Sequence, residues 1–193
     1  MESLMRSLNE NKEAIRGSIL KRGLNLFLFF ARVGFMRGGF QVEEKRENIL
    51  VSACLLGVNC RYDGGNGKRE EVLSLMEHYN LIPVCPEQLG GLMTPREPAE
   101  RQKNGLVMNC KGQDVTSFFK NGTQETLRIG KLYGCKRAIL KERSPSCGHG
   151  VIYDGTFSGS KIEGSGMTAE LLEKHGIKVI GESGINVTDN RLM

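Results

Sequence analysis

A chain of 193 residues has room for one full-sized domain and a tail, and is too short to require two. A quarter of its residues are charged, it holds no tryptophan, and no run of eighteen apolar residues would span a bilayer, so the composition reads as soluble and globular. Most of the net charge of +5 lies in residues 1–41, where seven Lys/Arg face three acids, so overall basicity gives the rest of the chain no nucleic-acid signature.

That leading stretch stands apart in other ways. Five of the eight phenylalanines, from Phe27 to Phe40, belong to it. "LNLFLFFARVGF" follows Lys21 and Arg22 as the apolar part of a signal peptide would, but Arg32 interrupts it and no small-residue cleavage site follows. A short membrane-surface helix is one reading of the interleaved charges. The preferred hypothesis is an internal start at Met36 or Val42, with upstream sequence translated before it. Residues 1–47 are thus expected to be a leading segment, and 48–193 the α/β domain.

From Asn48 the pattern becomes regular. "NILVSA" (48–53) is an apolar, β-branched strand, and "KREEVLSLMEHY" (68–79) carries Val72, Leu75, Met76 and Tyr79 at helical spacing. "LIPV" (81–84) and "GLVMN" (105–109) follow as strands, the latter turning at "CKGQ". Asp114 is placed to cap a long helix running to about Tyr133. "RAILK" (137–141) is a strand, "MTAELLEKH" (167–175) a helix stopped by Gly176, and "IKVIGE" (177–182) a last strand. Alternating strands and helices predict a Rossmann-like three-layer α/β domain with a mostly parallel sheet.

Six cysteines sit on this map. Cys54 follows the first strand, Cys85 the second, and Cys147 the "RAILK" strand, so all three belong to the carboxyl rim where open α/β sheets bind ligands. Cys60 is in a loop on the same rim, and Cys110 is in a hairpin turn. Cys135 precedes its strand and should face the opposite rim. Cys110 and Cys135 are read as buried thiols behaving as small hydrophobes. A core of this size needs no disulfide staples, and no paired C-x-x-C spacing announces structural zinc, although Cys54, Cys85, Cys147 and His149 remain a zinc candidate. An iron-sulfur cluster is the other candidate, with an open iron if only three thiolates hold it. Small neighbours suit such a group: Gly148 lets the backbone approach, and Pro145 biases Ser144 toward an extended conformation. "GGNGKR" lacks phosphate-loop spacing, and Asp63 and Asp154 carry turn chemistry.

"ILVSACLLGVNCRYDGG", "PVCPEQLGGLMTPREPAE", "GQDVTSFFKNG" and "AILKERSPSCGHGVIYDGTFSG" together resemble the thiouracil desulfidase family over about residues 48–184. The resemblance implies a 4Fe-4S cluster bound by Cys54, Cys85 and Cys147, with one iron lacking a protein ligand and open to a thiocarbonyl sulfur. It places the catalytic glutamate at Glu87 and the catalytic serine at Ser144, and leaves Cys60 out as a ligand. The implied reaction is non-redox: a thiolated pyrimidine such as 4-thiouracil, or its nucleotide, becomes the oxo form and hydrogen sulfide is released. Arg61 and Arg143 are the substrate-binding candidates, and with Arg96 and Lys141 they suit one phosphate. Cytoplasmic location, service by iron-sulfur assembly machinery and no stable nucleic-acid or membrane partner complete the expectation. A cysteine-based redox sensor and a zinc-binding module are the alternatives.

Intact-mass analysis of protein expressed from its own locus is expected to give a chain beginning at Met36 or Val42. A mass matching Met1 would end the internal-start hypothesis.

Overall fold

The computed structural model describes residues 46–185. The expectations for the leading segment up to residue 45, including a start at Met36 or Val42, lie outside the described residues, as do residues 186–193.

The architecture follows from β1 (Asn48–Ser52). Its side chains alternate between two faces, and Ile49, Leu50 and Val51 are all fully buried, so both faces are covered. An unbroken apolar run is what such a strand requires. β1 pairs in parallel with β2 (Asn80–Val84) on one edge and with β5 (Arg137–Leu140) on the other; β5 in turn pairs with β8 (Lys178–Gly181). The resulting parallel sheet has the order β2-β1-β5-β8.

Right-handed crossovers then fix the layers. The step from β1 to β2 carries α1 (Glu70–Ser74), and Val72 and Leu75 pack with Ile49, Val51 and Ile139 on one face. The steps from β2 to β5 and from β5 to β8 run the other way across the sheet. They carry α3 (Thr116–Leu132) and α4 (Met167–Lys174), whose Leu127, Ala169 and Leu172 pack with Leu50, Ala138 and Leu140 on the opposite face. The domain is a three-layer α/β fold, as its sequence predicts. No helix among the described residues is long and apolar enough to cross a membrane.

Several elements differ from expectation. The helix expected over 68–79 begins only at Glu70, because the N–H groups of Gly67 and Arg69 bond instead to the carbonyls of Cys54 and Leu55. It tightens into a 3₁₀ turn at Leu75–Glu77, where the Ser74 hydroxyl bonds the Glu71 carbonyl at 3.0 Å. β4 (Val107–Asn109) pairs antiparallel with an unforeseen upstream strand, β3 (Ala99–Arg101). The "CKGQ" turn is closed by Asn109 N–H to the Gln113 carbonyl at 2.9 Å. Asp114 Oδ1 then accepts the Thr116 N–H at 2.8 Å in the first turn of α3. A second hairpin, β6 (Val151–Tyr153) with β7 (Lys161–Glu163), was also unforeseen.

The other addition is α2 (Pro86–Leu89), a single turn opened by proline at its first position. It lies against α3 backbone to backbone. A Cβ built on Gly122 would fall 1.7 Å from the Pro86 carbonyl oxygen, and one on Gly90 would fall 2.0 Å from that of Phe118. No rotamer relieves a clash with main chain, so α3 holds α2 at a distance only glycine permits.

Gly122→Ala is therefore expected to destabilise the protein by at least the 1–3 kcal/mol, roughly, of an overpacked core. Urea unfolding checks this, and an unchanged midpoint would mean that the two helices separate freely.

Candidate active site

The chain leaves β1 toward β2 in one direction and reaches β5 in the other, so their carboxyl ends flank a topological switch point. A cavity of about 540 Å³ opens there, within the usual range for small-molecule sites. β1 delivers Ser52 and, through a 3₁₀ turn (Ala53–Leu56), Cys54. β2 delivers Cys85 and Glu87 on α2, and β5 delivers Lys141, Arg143, Ser144 and Cys147. The two hairpins form the facing wall with Ala99, Glu100, Tyr153 and Phe157. They are tied together by Gln102 Nε2 to the Gly155 carbonyl at 2.6 Å, and by the Phe157 N–H to Glu100 Oε2 at 3.0 Å.

Four reduced thiols line the cavity: Cys54, Cys60, Cys85 and Cys147. Cys60 lies in hydrogen-bonding reach of both Cys54 and Cys85; the bond to Cys54, above all, pushes its thiol up to about 11. The contact with Cys60, and then burial, raise Cys85 strongly. Burial pushes Cys147 up to about 12, against the pull of hydroxyl hydrogen bonds from Ser52 and Ser146, while the Glu87 charge adds to the rise. Cys60, Cys85 and Cys147 therefore hold their protons in the metal-free site, and a metal bound to any of these must displace its proton.

The remaining metal candidates part company with this group. His149 faces α4, its Nδ1 3.6 Å from Glu173 Oε1, and it does not line the cavity. The zinc set of Cys54, Cys85, Cys147 and His149 thus loses its imidazole. Among the described residues no three His, Cys, Asp or Glu groups are arranged to hold a single metal ion. A multi-iron cluster instead binds each thiolate at a separate iron, which matches thiols arrayed around a cavity. Cys135 is buried in the core as expected, but Cys110 is exposed on its turn, with Sγ 3.3 Å from Glu97 Oε2, contrary to the buried-thiol reading.

The Cys147 loop is held by its own backbone. Ser144 Oγ accepts the N–H groups of Ser146 and Cys147, both at 3.1 Å. Carbonyls of Pro145, Ser146 and Gly148 accept from Met167, Thr168 and Gly166, capping the start of α4. A Cβ on Gly166 would lie 2.4 Å from the Ser146 carbonyl oxygen. Beneath the loop the buried hydroxyls of Ser146, Thr168 and Thr123 form a file, at 2.8 and 2.9 Å. Gly148 serves this packing and not the approach of a cofactor: its missing Cβ would strike Ile152 and the Ser144 carbonyl, both at 2.7 Å.

Glu87 and Ser144 meet across the cavity, with the Ser144 hydroxyl 3.5 Å from Glu87 Oε1. The other carboxylate oxygen, Oε2, is taken by Arg96 at 2.7 Å. Arg96 also donates to the Cys60 carbonyl at 3.0 Å and to Thr94 Oγ1 at 3.0 Å. Arg96, expected as an anion-binding group, is instead the partner of Glu87. Lys141 is likewise engaged, by the buried Glu182. Arg61 pairs with Asp63 at 3.0 Å, and Asp63 and Asp154 accept hydrogen bonds within their own turns. Arg143 lines the cavity, exposed, with no side-chain hydrogen bond or ion pair among the described residues, at a left-handed φ of 64°. The sequence reading missed Arg96 as a clamp, Cys60 as a neighbour of the other thiols, and the hairpin wall.

Comparison with known proteins follows the same residues. A family model described as 2-thiouracil desulfurase matches residues 49–184. A relative from Bacillus subtilis (strain 168), the uncharacterized protein YbbK, is 46% identical over 147 residues, covering 72% of this chain and 97% of its own. A solved structure of a 4Fe-4S-dependent thiouracil desulfidase, TudS, is 44% identical with a TM-score of 0.68, covering 72% of this chain and 93% of its own.

A pH dependence follows from the buried thiols. Cys147 binds its proton more tightly in the folded chain, up to about 12, than at the ordinary 9.0. Its stabilising effect is complete below the ordinary value and is lost as pH rises toward the folded one. Metal-free protein should thus lose up to about 1.4 kcal/mol per pH unit for this thiol above that point. Urea midpoints near neutrality and in alkali should fall less steeply in Cys147→Ser than in wild type; equal slopes would discard burial of this thiol as the cause.

Proposed function

The chain belongs to the 2-thiouracil desulfurase family, and on that premise we propose that it converts a thiolated pyrimidine to its oxo form by water, without redox change, releasing hydrogen sulfide. The observation that carries this reading is the meeting of Cys54, Cys85 and Cys147 with the Glu87–Ser144 pair at one cavity. The domain proposed to do this spans residues 48–193.

Cys54, Cys85 and Cys147 are the residues proposed to hold a 4Fe-4S cluster, which supplies a soft Lewis-acid iron, open to the thiocarbonyl sulfur and electron-withdrawing at the carbon to be attacked. Arg96 occupies Oε2 of Glu87 and leaves Oε1 to the cavity, where its neighbour is the Ser144 hydroxyl at 3.5 Å. It takes a proton from the attacking water and returns it to the departing sulfur. Ser144, fixed by two backbone N–H groups, turns its O–H toward Glu87, and the pair is proposed to orient the water beside it. Water adds its oxygen to the carbon and both its protons leave with sulfur: C=S and H₂O give C=O and H₂S. No electron donor enters the balance.

The cavity volume suits a single base or nucleotide and supports a small-molecule substrate. Arg61 and Arg143 are the proposed substrate-binding residues; Arg143, uncommitted elsewhere among the described residues, is the better phosphate partner. Cytoplasmic location and loading by iron-sulfur assembly machinery complete the proposal.

Anaerobic reconstitution with iron and sulfide tests it. Wild type should take up iron, colour, and release sulfide from 4-thiouracil without reductant, and Cys147→Ser should lose all three. Glu87→Gln should keep the iron and lose roughly 10²–10⁴-fold in turnover. Full turnover in Glu87→Gln would remove the glutamate from the mechanism; a colourless wild type that binds zinc would remove the desulfidase. Arg143→Asn should relieve most of the roughly 1–2 kcal/mol of left-handed backbone strain and raise KM for the thiouridine monophosphate more than for the free base. Equal changes in both KM values would dismiss Arg143 as a phosphate ligand.

A further inference from the structure

The residues assigned so far meet the substrate's sulfur, the attacking water and a phosphate, and leave the face of the ring without a partner. Three aromatic residues line the cavity: Tyr62, Tyr153 and Phe157. Tyr62 already carries the Arg61 guanidinium over its ring, 5.9 Å from the centroid, and Tyr153 is half-buried within β6. Phe157 remains 39% exposed and belongs to neither core cluster, so packing does not account for so large an apolar side chain at this place. Its main chain is also strained into position. Phe157 has a φ of 58°, in the left-handed region that bulky side chains seldom enter. Its N–H is held at 3.0 Å by the buried carboxylate of Glu100, a charge with no ion pair among the described residues. The turn before it is anchored twice more: Asp154 Oδ1 accepts the Thr156 N–H at 2.9 Å, and a Cβ on Gly155 would lie 2.9 Å from the Arg101 carbonyl oxygen. One hairpin thus fixes the turn by which the other presents an open aromatic residue to the cavity.

Resting on the desulfidase reading above, we propose that Phe157 selects the substrate by its ring, as the platform on which a planar thiopyrimidine stacks. A pyrimidine has a flat π face on each side, and an aromatic side chain set in advance at an exposed position matches it with little ordering left to do. Stacking uses the face of the base and none of its polar edge. The thiocarbonyl and any phosphate project from that edge, so both stay available to the groups already assigned to them. Phe157 accordingly binds base and nucleotide alike, and discriminates against thiocarbonyl compounds that lack an aromatic plane.

Competition against 4-thiouracil turnover by the reconstituted holoprotein tests this, with uracil and 5,6-dihydrouracil as the competitors. The two share their carbonyl and N–H groups, and only uracil is planar and aromatic. Wild type should bind uracil roughly 5- to 150-fold more tightly, the span of one base–aromatic stack. Phe157→Asn, which tolerates the left-handed backbone, should lose that preference and raise KM for 4-thiouracil by a similar factor, while Phe157→Tyr should keep both. Equal inhibition by the two competitors in wild type, or none by uracil, overturns the proposal even if neither variant folds, and so does a preference that survives in Phe157→Asn. Were sulfide still released without discrimination between the rings, the desulfidase reading would stand and Phe157 would be wall alone; a wild type that releases no sulfide overturns both.

Discussion

β1 is bonded on both edges and buried on both faces, and the position of every group at the cavity depends on that. A strand so enclosed cannot shift register without exposing Ile49, Leu50 or Val51. Its carboxyl end is therefore a fixed point. Because the chain crosses to one side for β2 and to the other for β5, the loops beyond these three ends splay apart around that point. The thiols gather there although Cys54 and Cys147 are far apart in sequence. Hydrophobic burial of a short strand thus does the work of assembling a polar site.

Electrostatics then locks what topology gathers. The side chains of Arg96 and Glu87 are only 9% and 16% exposed, so removing either partner would leave a poorly solvated charge. Arg96 spreads its donors over Glu87, Thr94 and the Cys60 carbonyl, binding α2 to the loop after β1. The backbone contact at Gly122 holds the same α2 from the other side. Glu87 is consequently fixed in direction as well as place, with one oxygen neutralised and the other turned to Ser144. On the far side of the cavity, the buried Glu182 does for Lys141 what Arg96 does for Glu87.

The central strands and the two longer helices were legible because burial writes itself into sequence as unbroken or 3.6-spaced apolar runs. Cys54, Cys85 and Cys147 could be located because each follows such a strand, whereas Glu87 and Ser144 stood out only through the resemblance of their motifs to the family. The hairpins could not. Strands of three residues such as "AER" and "KIE" acquire their identity from the partner they meet, and their composition is that of a loop. The same holds for charge. Arg96 and Lys141 look like free cations in sequence, and only folding brings Glu87 and Glu182 against them. Cys60 was visible as a loop thiol, but its proximity to Cys54 and Cys85 is a property of the loop's return path through Gly67.

The carbonyls that cap α4 come from the loop bearing Ser144 and Cys147, and that has a bearing on how the fold can diversify. Moving this loop would uncap a helix and break main-chain contacts at Gly166, so drift there is penalised twice. The opposite wall, made of Ala99, Glu100, Tyr153 and Phe157, hangs on two hairpins of three-residue strands joined by a few hydrogen bonds. One wall is an anvil and the other an interchangeable die. New ring shapes can be accommodated by recasting the hairpins, while the thiols, the glutamate and the serine stay where the sheet has put them.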